Sequence, residues 1–172
     1  MNPAWTLRTG RLVLTPVGGG DLADLRAITA DPRVFAVMLG GVRNAAQTAD
    51  ELSHRVIAWG QYGFGIWAIR EIGNNRFVGI TGLEHRLDGR GVALRFALWP
   101  EAQGHGLARE AAWSALSFGH EQARLRRIVG VARESNFASR TVLGGIGMHE
   151  AERFVQRGET MILYESVRPG EA

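Results

Sequence analysis

A turn with two glycines separates a strand-like run from a long helical pattern near the middle of the chain. The turn reads Gln103-Gly104-His105-Gly106, and apolar residues at helical spacing follow from Leu107. The first amides of a helix have no partner within it and carry the positive end of the helix dipole. Glycines ahead of them leave room for a bulky anion. The segment therefore predicts either a diphosphate-binding site or a plain tight turn.

The spacing around the glycines distinguishes three kinds of phosphate-binding loop. A P-loop needs a lysine followed by Ser or Thr, and the chain contains no lysine. A dinucleotide-binding loop needs a third glycine where this chain has Arg109, and an acid after the next strand, for which Glu134 is a candidate. The third kind has the pattern Gln/Arg-x-x-Gly-x-Gly/Ala, which residues 103–108 fill completely.

With its surroundings, this hexapeptide resembles the acetyl-CoA pyrophosphate loop of the GNAT N-acetyltransferases, in the branch of the ribosomal-protein-alanine N-acetyltransferases. The likeness extends over nearly the whole chain. It includes an Asn-x-x-Ser helix start at Asn136 and Ser139, followed by a Gly-Met at residues 147–148 in place of the usual Gly-Phe. It also includes the opening Thr9-Gly10-Arg11-Leu12-Val13-Leu14, the strand entry at residues 62–67, and the strands at residues 78–83 and 94–98.

The resemblance implies an acetyl-CoA site made of three segments. Backbone groups of Phe96, Ala97 and Leu98 would pair with the pantetheine arm as an added strand would. Asn136 would bind the same arm, and Ser139 would lie near the sulfur. The diphosphate would be held by the loop and the first turn of the helix, which comprise Gln103, Gly104, His105, Gly106, Leu107, Ala108 and Arg109. The alternative role for Asn136 and Ser139 is helix capping.

Two side chains that many relatives use in catalysis are missing from the matching positions. Leu143 stands where they have a tyrosine proton donor, and Val131 where they have a glutamate base. The protic groups expected nearby are Glu84 and His85 as candidate bases, and Ser139 to assist the leaving thiolate. An imidazole can accept a proton at neutral pH, directly or through water. The alternative for Glu84 and His85 is a polar strand end that faces solvent.

These observations predict an acetyl-CoA-dependent N-acetyltransferase that acts on a primary amine by direct attack in a ternary complex. The chain has no cysteine, which excludes a cysteine acyl-enzyme. The resemblance leaves the acceptor open among protein N-termini, amino acids, polyamines and antibiotics. The first two helices, residues 34–39 and the hairpin tip at 156–158 are expected to frame its cleft. The alternatives are a non-catalytic acyl-CoA-binding module and, less in keeping with the loop, a dinucleotide-binding oxidoreductase.

Composition limits the other partners. A chain of 172 residues is the size of one domain, so residues 1–172 are expected to form a single one. The pI of 10.4 comes from 20 arginines, but the net charge is only +3 and no basic block alternates with aromatics, so no nucleic acid partner is predicted. No apolar run approaches the roughly 20 residues of a membrane span, which favours a cytoplasmic protein without membrane contact. The protein is expected to be a monomer or a homodimer. The histidines share no spacing with acids, so no metal is expected.

The elements that position these residues are predicted from hydrophobic periodicity. The order is β-α-α-β-β-β-α-β-α-β-β, with the second helix starting at a capping box formed by Thr48 and Glu51. It implies an α/β fold: a GNAT-like mixed, mostly antiparallel sheet with helices on both faces and one central βαβ crossover. Strands are expected at residues 7–17, 64–71, 76–83, 92–98, 128–131, 151–155 and 161–166, and helices at 22–30, 48–59, 107–121 and 138–145.

Overall fold

The computed structural model describes residues 1–170 and is organised around one eight-stranded sheet. The strands lie side by side in the order β1-β2-β3-β4-β5-β6-β8-β7, and all neighbours are antiparallel except β5 and β6. Their bounds are β1 Leu7–Arg8, β2 Leu12–Pro16, β3 Ile66–Glu71, β4 Phe77–His85, β5 Val92–Leu98, β6 Arg127–Arg133, β7 His149–Gln156 and β8 Glu159–Val167. The predicted mixed, mostly antiparallel α/β fold is confirmed.

Helices cover both faces of the sheet. They are α1 (Leu22–Ala30), α2 (Pro32–Phe35), α3 (Ala45–Tyr62), α4 (Leu107–Glu121) and α5 (Phe137–Gly145). On the first face, α4 and α5 pack against β5 side chains that include Leu94 and Leu98. On the second face, α1 and α2 pack with Ile80 and Ala97. The connection from β5 through α4 to β6 is the predicted crossover, whereas the single turn of α2 is not predicted by the hydrophobic pattern.

Small residues let α4 lie close to the sheet. Ala111, Ala112 and Ala115 are completely buried and lie within about one turn of each other on the same side of the helix. Near its end, a Cβ on Gly119 would lie 2.5 Å from Cδ1 of Ile128 and 2.9 Å from Cδ1 of Leu83, so a larger residue there would require these side chains to move. This packing fixes the start of α4 relative to the end of β5, which is where the glycine turn lies.

The first predicted strand is in fact a hairpin. Leu7 pairs with Leu14, and the chain turns between them at residues 9–11. The hydroxyl of Thr9 accepts a hydrogen bond from the amide of Leu12 at 2.9 Å, which closes the turn. The alternation of apolar residues continues through the turn, so the pattern alone predicts one strand over residues 7–17.

The second predicted helix begins one turn earlier than expected. Asn44 and Gln47 form the capping box, each side chain accepting from the other's backbone amide at 2.8 and 2.9 Å. Thr48 is buried inside α3, where its hydroxyl lies 2.6 Å from that of Thr29 on α1. Glu51 pairs with an arginine instead of capping the helix. The capping box predicted at Thr48 and Glu51 is therefore wrong; all boundaries outside this helix and the first hairpin lie within two residues of prediction.

Candidate active site

The sheet splits between its two parallel strands. In residues 1–170, β5 and β6 are joined at a single pair, Ala93 with Val129, and they separate beyond it. Consecutive residues of a strand direct their backbone groups to opposite sides. Because the amide of Trp99 donates to β4, the backbone groups of Phe96 and Leu98 point toward the split.

Ala97 differs from its two neighbours. It is paired with Ile80, and its backbone groups point to β4 by the same alternation. Its side chain is buried against α1 and α2. The expectation that Ala97 offers backbone hydrogen bonds to a pantetheine arm therefore needs correction, since those groups already belong to the sheet. The backbone groups of Phe96 and the amide of Leu98 keep the predicted geometry, whereas the Leu98 carbonyl accepts from the Gln103 side chain.

A cavity of about 600 Å³ occupies the split. Its wall contains Phe96, Asn136 and Ser139 from the predicted cofactor segments. It also contains Glu84 and His85, the predicted bases at the end of β4. The fold thus brings together, around one space, residues from β4, β5 and α5 that are far apart in the sequence.

The opposite end of the cavity is formed by residues 36–41, which follow α2, and by Gln156 and Arg157 at the turn between β7 and β8. Arg43 holds the first of these segments, since its guanidinium donates to the carbonyl oxygens of Leu39, at 3.0 Å, and Gly41. Because α5 lies on the first face of the sheet and α2 on the second, the cavity passes through the sheet.

The glycine turn lies outside this cavity, beyond the end of β5. Gly104 and Gly106 have φ angles of 81° and 77°, the left-handed region that glycine adopts readily. No side chain caps α4, and residues 103–106 are exposed. Gln103 donates to the carbonyl of Leu98 at 3.0 Å and so ties the turn to the strand. Leu107 is buried in the core, so only its backbone faces the open turn.

An arginine from the first hairpin anchors the same turn. Arg11 donates to the carbonyl of His105 at 2.7 Å and pairs with Glu110 in the first turn of α4, also at 2.7 Å. Thr9 donates its hydroxyl to the same carboxylate. Burial acts to raise the pKa of Glu110, but the hydrogen bonds from Thr9 and Arg11 outweigh it and leave that pKa lowered. The sequence places Thr9 and Arg11 in a family motif but does not predict that they anchor the glycine turn.

Arg109 adds a free cation next to the turn. It has no hydrogen bond or ion pair within the described part of the chain, residues 1–170. Its side chain lies against the end of α5, where a Cβ on Gly145 would be 3.6 Å from its Nε. The open amides of the turn, Ala108 included, and this guanidinium can together accept a diphosphate.

The two candidate bases differ in their surroundings. The Glu84 carboxylate accepts from Arg55 at 2.8 Å and from Arg95 at 2.9 Å. Burial acts to raise its pKa, but the charges of both arginines outweigh burial and leave the pKa below the usual value for glutamate. His85 is exposed and packs against Tyr62, with ring centroids 4.7 Å apart, and Phe64. Glu84 is therefore an ion-paired carboxylate, contrary to the solvent-facing alternative, and its lowered pKa makes it a poor proton acceptor.

The start of α5 combines capping with an open polar surface. Asn136 accepts the amide hydrogen bond of Ser139 at 3.2 Å, as in the capping alternative. The NH₂ group of Asn136 and the hydroxyl of Ser139 have no hydrogen-bond partner in residues 1–170, and both residues line the cavity. Leu143 is 2% exposed and packs on Gly130, whose Cβ would lie 2.6 Å from its Cδ2. Hydrophobic packing thus fills the position where relatives have tyrosine.

Comparison with known families identifies the chain. The family model described as "Acetyltransferase (GNAT) domain" matches residues 11–149. The chain belongs to the GNAT acetyltransferase family. Its members transfer acetyl groups from acetyl-CoA, so the predicted enzyme class is confirmed and a dinucleotide-dependent oxidoreductase is excluded.

Several GNAT proteins resemble the chain over most of its length. An FsC-acetyl coenzyme A-N(2)-transacetylase from Aspergillus fumigatus is 26% identical over 167 residues, covering 90% of this chain and 69% of its own. An acetyltransferase structure from Agrobacterium tumefaciens has a TM-score of 0.83 and 26% identity, with 95% of this chain and 94% of its own covered. The ribosomal L7/L12 alpha-N-protein acetyltransferase RimL, in complex with coenzyme A, shares the fold with a TM-score of 0.79 at 13% identity, over 96% and 99% of the two chains.

The residues around the split fit the acetyl-CoA that GNAT enzymes use. The turn has bare amides and no Cβ at Gly104 or Gly106. Within residues 1–170, no strand pairs with the inner edge of β5 at Phe96 or at the amide of Leu98, and the cavity lies along that edge. In the described residues 1–170, no helix is long and apolar enough to cross a bilayer, and no three His, Asp or Glu side chains form a metal-binding group.

Proposed function

We propose that this GNAT enzyme acetylates a primary amine by direct attack within a ternary complex. The observation that supports this most directly is the cavity at the split in the sheet, which is lined by residues from elements on both faces. Asn136 and Ser139 border it on one face, and residues 36–41 with Gln156 and Arg157 border it on the other. Two substrates entering from opposite faces can meet inside it, without a covalent carrier on the enzyme.

Acetyl-CoA, when bound, supplies an acetyl group activated as a thioester. The backbone amides of residues 104–108 and the Arg109 guanidinium hold its diphosphate. The backbone groups of Phe96 and the amide of Leu98 offer hydrogen bonds to its amide-containing arm, and the Asn136 NH₂ group offers another. Gln103 and Arg11 fix the position of the turn through the carbonyls of Leu98 and His105. His105 therefore acts as a loop residue and is not the base.

His85 accepts the proton that the amine loses, directly or through water, because its ring borders the cavity and is not engaged in an ion pair with a neighbouring carboxylate in residues 1–170. Glu84 supports the site by holding Arg95, which also lines the cavity. Ser139 assists the leaving thiolate, since its hydroxyl has no other partner in the described residues. The chain has no cysteine to carry the acetyl group, which agrees with direct attack.

Steady-state kinetics with a panel of peptides and small amines tests this function. Initial rates measured while both substrates are varied should give intersecting double-reciprocal lines, as a ternary complex requires. Parallel lines, together with an acetylated enzyme found by mass spectrometry, would instead show a covalent intermediate. Because the chain contains no lysine, its own side chains offer no primary amine, and acetylation of the enzyme by accident is limited to its N-terminus.

A further inference from the structure

The cavity wall contains more positive than negative charge. Four arginines and three carboxylates line it: Arg86, Arg95, Arg133, Arg157, Glu84, Asp88 and Glu159. This excess of positive charge affects which acceptor can bind, because arginines repel a protonated amine and attract a carboxylate. The pairing of each charge within the protein decides which remain free for a ligand.

All three carboxylates are already paired. Glu84 lies between two arginines, as described above. Asp88 pairs with Arg86 at 2.5 Å and with Arg90 at 3.0 Å, and the hydrogen bond from Arg86 is the main cause of its lowered pKa. Glu159 lies 3.7 Å from Arg133. In residues 1–170 the wall therefore offers no free carboxylate to an ammonium group.

Arg157 is the unpaired member of the set. It lies exposed at the turn between β7 and β8, with φ of 52°, and no hydrogen bond or ion pair joins it to the described residues. Its neighbour Gln156 lines the same cavity and has a buried amide oxygen with no hydrogen-bond partner among residues 1–170. Two consecutive residues of the cavity wall thus offer a guanidinium and an amide oxygen without partners in residues 1–170, and these suit an anion and an N–H donor.

We propose that the acceptor amine carries a carboxylate, which Arg157 binds, as in an amino acid or a peptide with acidic residues near its N-terminus. The proposal rests on the function proposed above and names its substrate class. A polyamine is disfavoured, because its second ammonium group would meet arginines and no free carboxylate. Gln156 accepts an N–H group of the same ligand.

The same charges assist the chemistry. Nearby positive charge disfavours the protonated form of an amine, and only the neutral amine has a lone pair for attack. The arginine-rich wall therefore lowers the demand on His85 as a base. This offers a physical reason why the enzyme has Val131 where many relatives have a glutamate.

Matched acceptors and variants test the proposal. Acceptors are compared in pairs that differ only by a carboxylate: amino acids with their amides, and short peptides with Asp or Asn at positions two and three; spermidine is the polycation. We expect kcat/KM to be higher for the acceptor with the carboxylate in at least one pair. A preference in the amino-acid pair would indicate an amino-acid acceptor, and a preference in the peptide pair would indicate a peptide acceptor. Arg157→Gln should lower that value about ten-fold and weaken binding of the same acceptor to the CoA-saturated protein in calorimetry.

Arg124→Gln is the control, because Arg124 is also exposed, has φ of 58° and lies outside the cavity wall. It should leave both values unchanged. Equal or better use of spermidine, or an unchanged carboxylate preference in Arg157→Gln, would overturn the inference while leaving N-acetylation intact. Failure of every amine to release CoA, with acetyl-CoA bound and the protein folded, would overturn the proposed function itself.

Discussion

Gly106→Val tests the phosphate-binding turn most directly. Gly106 caps α4 with φ of 77° and ψ of 7°, where a residue with a Cβ is strained by roughly 1–2 kcal/mol. A Cβ would also lie 3.4 Å from the Arg11 guanidinium. Each kcal/mol lowers the melting temperature of a domain this size by roughly 2–4 °C, so we expect a folded variant that melts roughly 2–8 °C below the parent.

Gly63→Val separates strain from ligand binding. Gly63 ends α3 with φ of 72° and ψ of 12°, nearly the same conformation, and nothing lies within 4 Å of its Cβ. Both variants should lose similar stability. Acetyl-CoA at about 100 times its dissociation constant adds about 2.7 kcal/mol, or roughly 5–11 °C. Calorimetry should show this rise for the parent and Gly63→Val but not for Gly106→Val; an equal rise in both variants would show that the turn does not bind the diphosphate.

Three further substitutions separate anchoring from chemistry. Glu110→Gln should lower the free energy of unfolding by about 1 kcal/mol at pH 7. Because folding lowers the pKa of Glu110, the difference in stability between the variant and the parent should shrink as the pH falls through that pKa. Denaturation measured over this pH range tests this, and a pH-independent difference would contradict it. His85→Asn should lower kcat about 10²–10⁴-fold across pH 6–9, and full activity throughout would exclude His85 as the base. Glu84→Gln should mainly lower stability, by about 2 kcal/mol, because two arginines lose their partner; unchanged melting would refute that role.

The fold could be predicted where its signals are local. β5 and α4 have the predicted bounds because a proline at position 100 and Gly106 mark their ends in the sequence. The first hairpin and the start of α3 could not be predicted from apolar periodicity, because polar side chains set them: Thr9 closes the hairpin turn, and Asn44 with Gln47 caps α3. Contacts distant in sequence reinforce both. Thr9 bonds Glu110, 101 positions away, and Thr48 bonds Thr29 on another helix. Hydrophobic periodicity contains no information about either contact.

The candidate site divides in the same way. Its cofactor segments are contiguous motifs, so their residues could be named from the sequence, with Ala97 corrected only by strand pairing. The state of Glu84 could not be foreseen, since it depends on Arg55, 29 positions earlier in the chain, and Arg95. Likewise, the hairpin tip could be assigned to the acceptor cleft, but only the fold shows that the charge of Arg157 is left unpaired.

The split between β5 and β6 also bears on aggregation. A strand with unpaired amides and carbonyls is a template on which other chains can add, and proteins usually shorten or cover such edges. Here the backbone groups of Phe96 and the amide of Leu98, which pair with no strand in residues 1–170, lie inside the sheet between two strands of the same molecule. A second folded copy cannot bring a strand into that gap, whereas a slender, flexible ligand can. The protein thus retains an unpaired strand edge that can bind its substrate but that is inaccessible to strands of other copies of the chain.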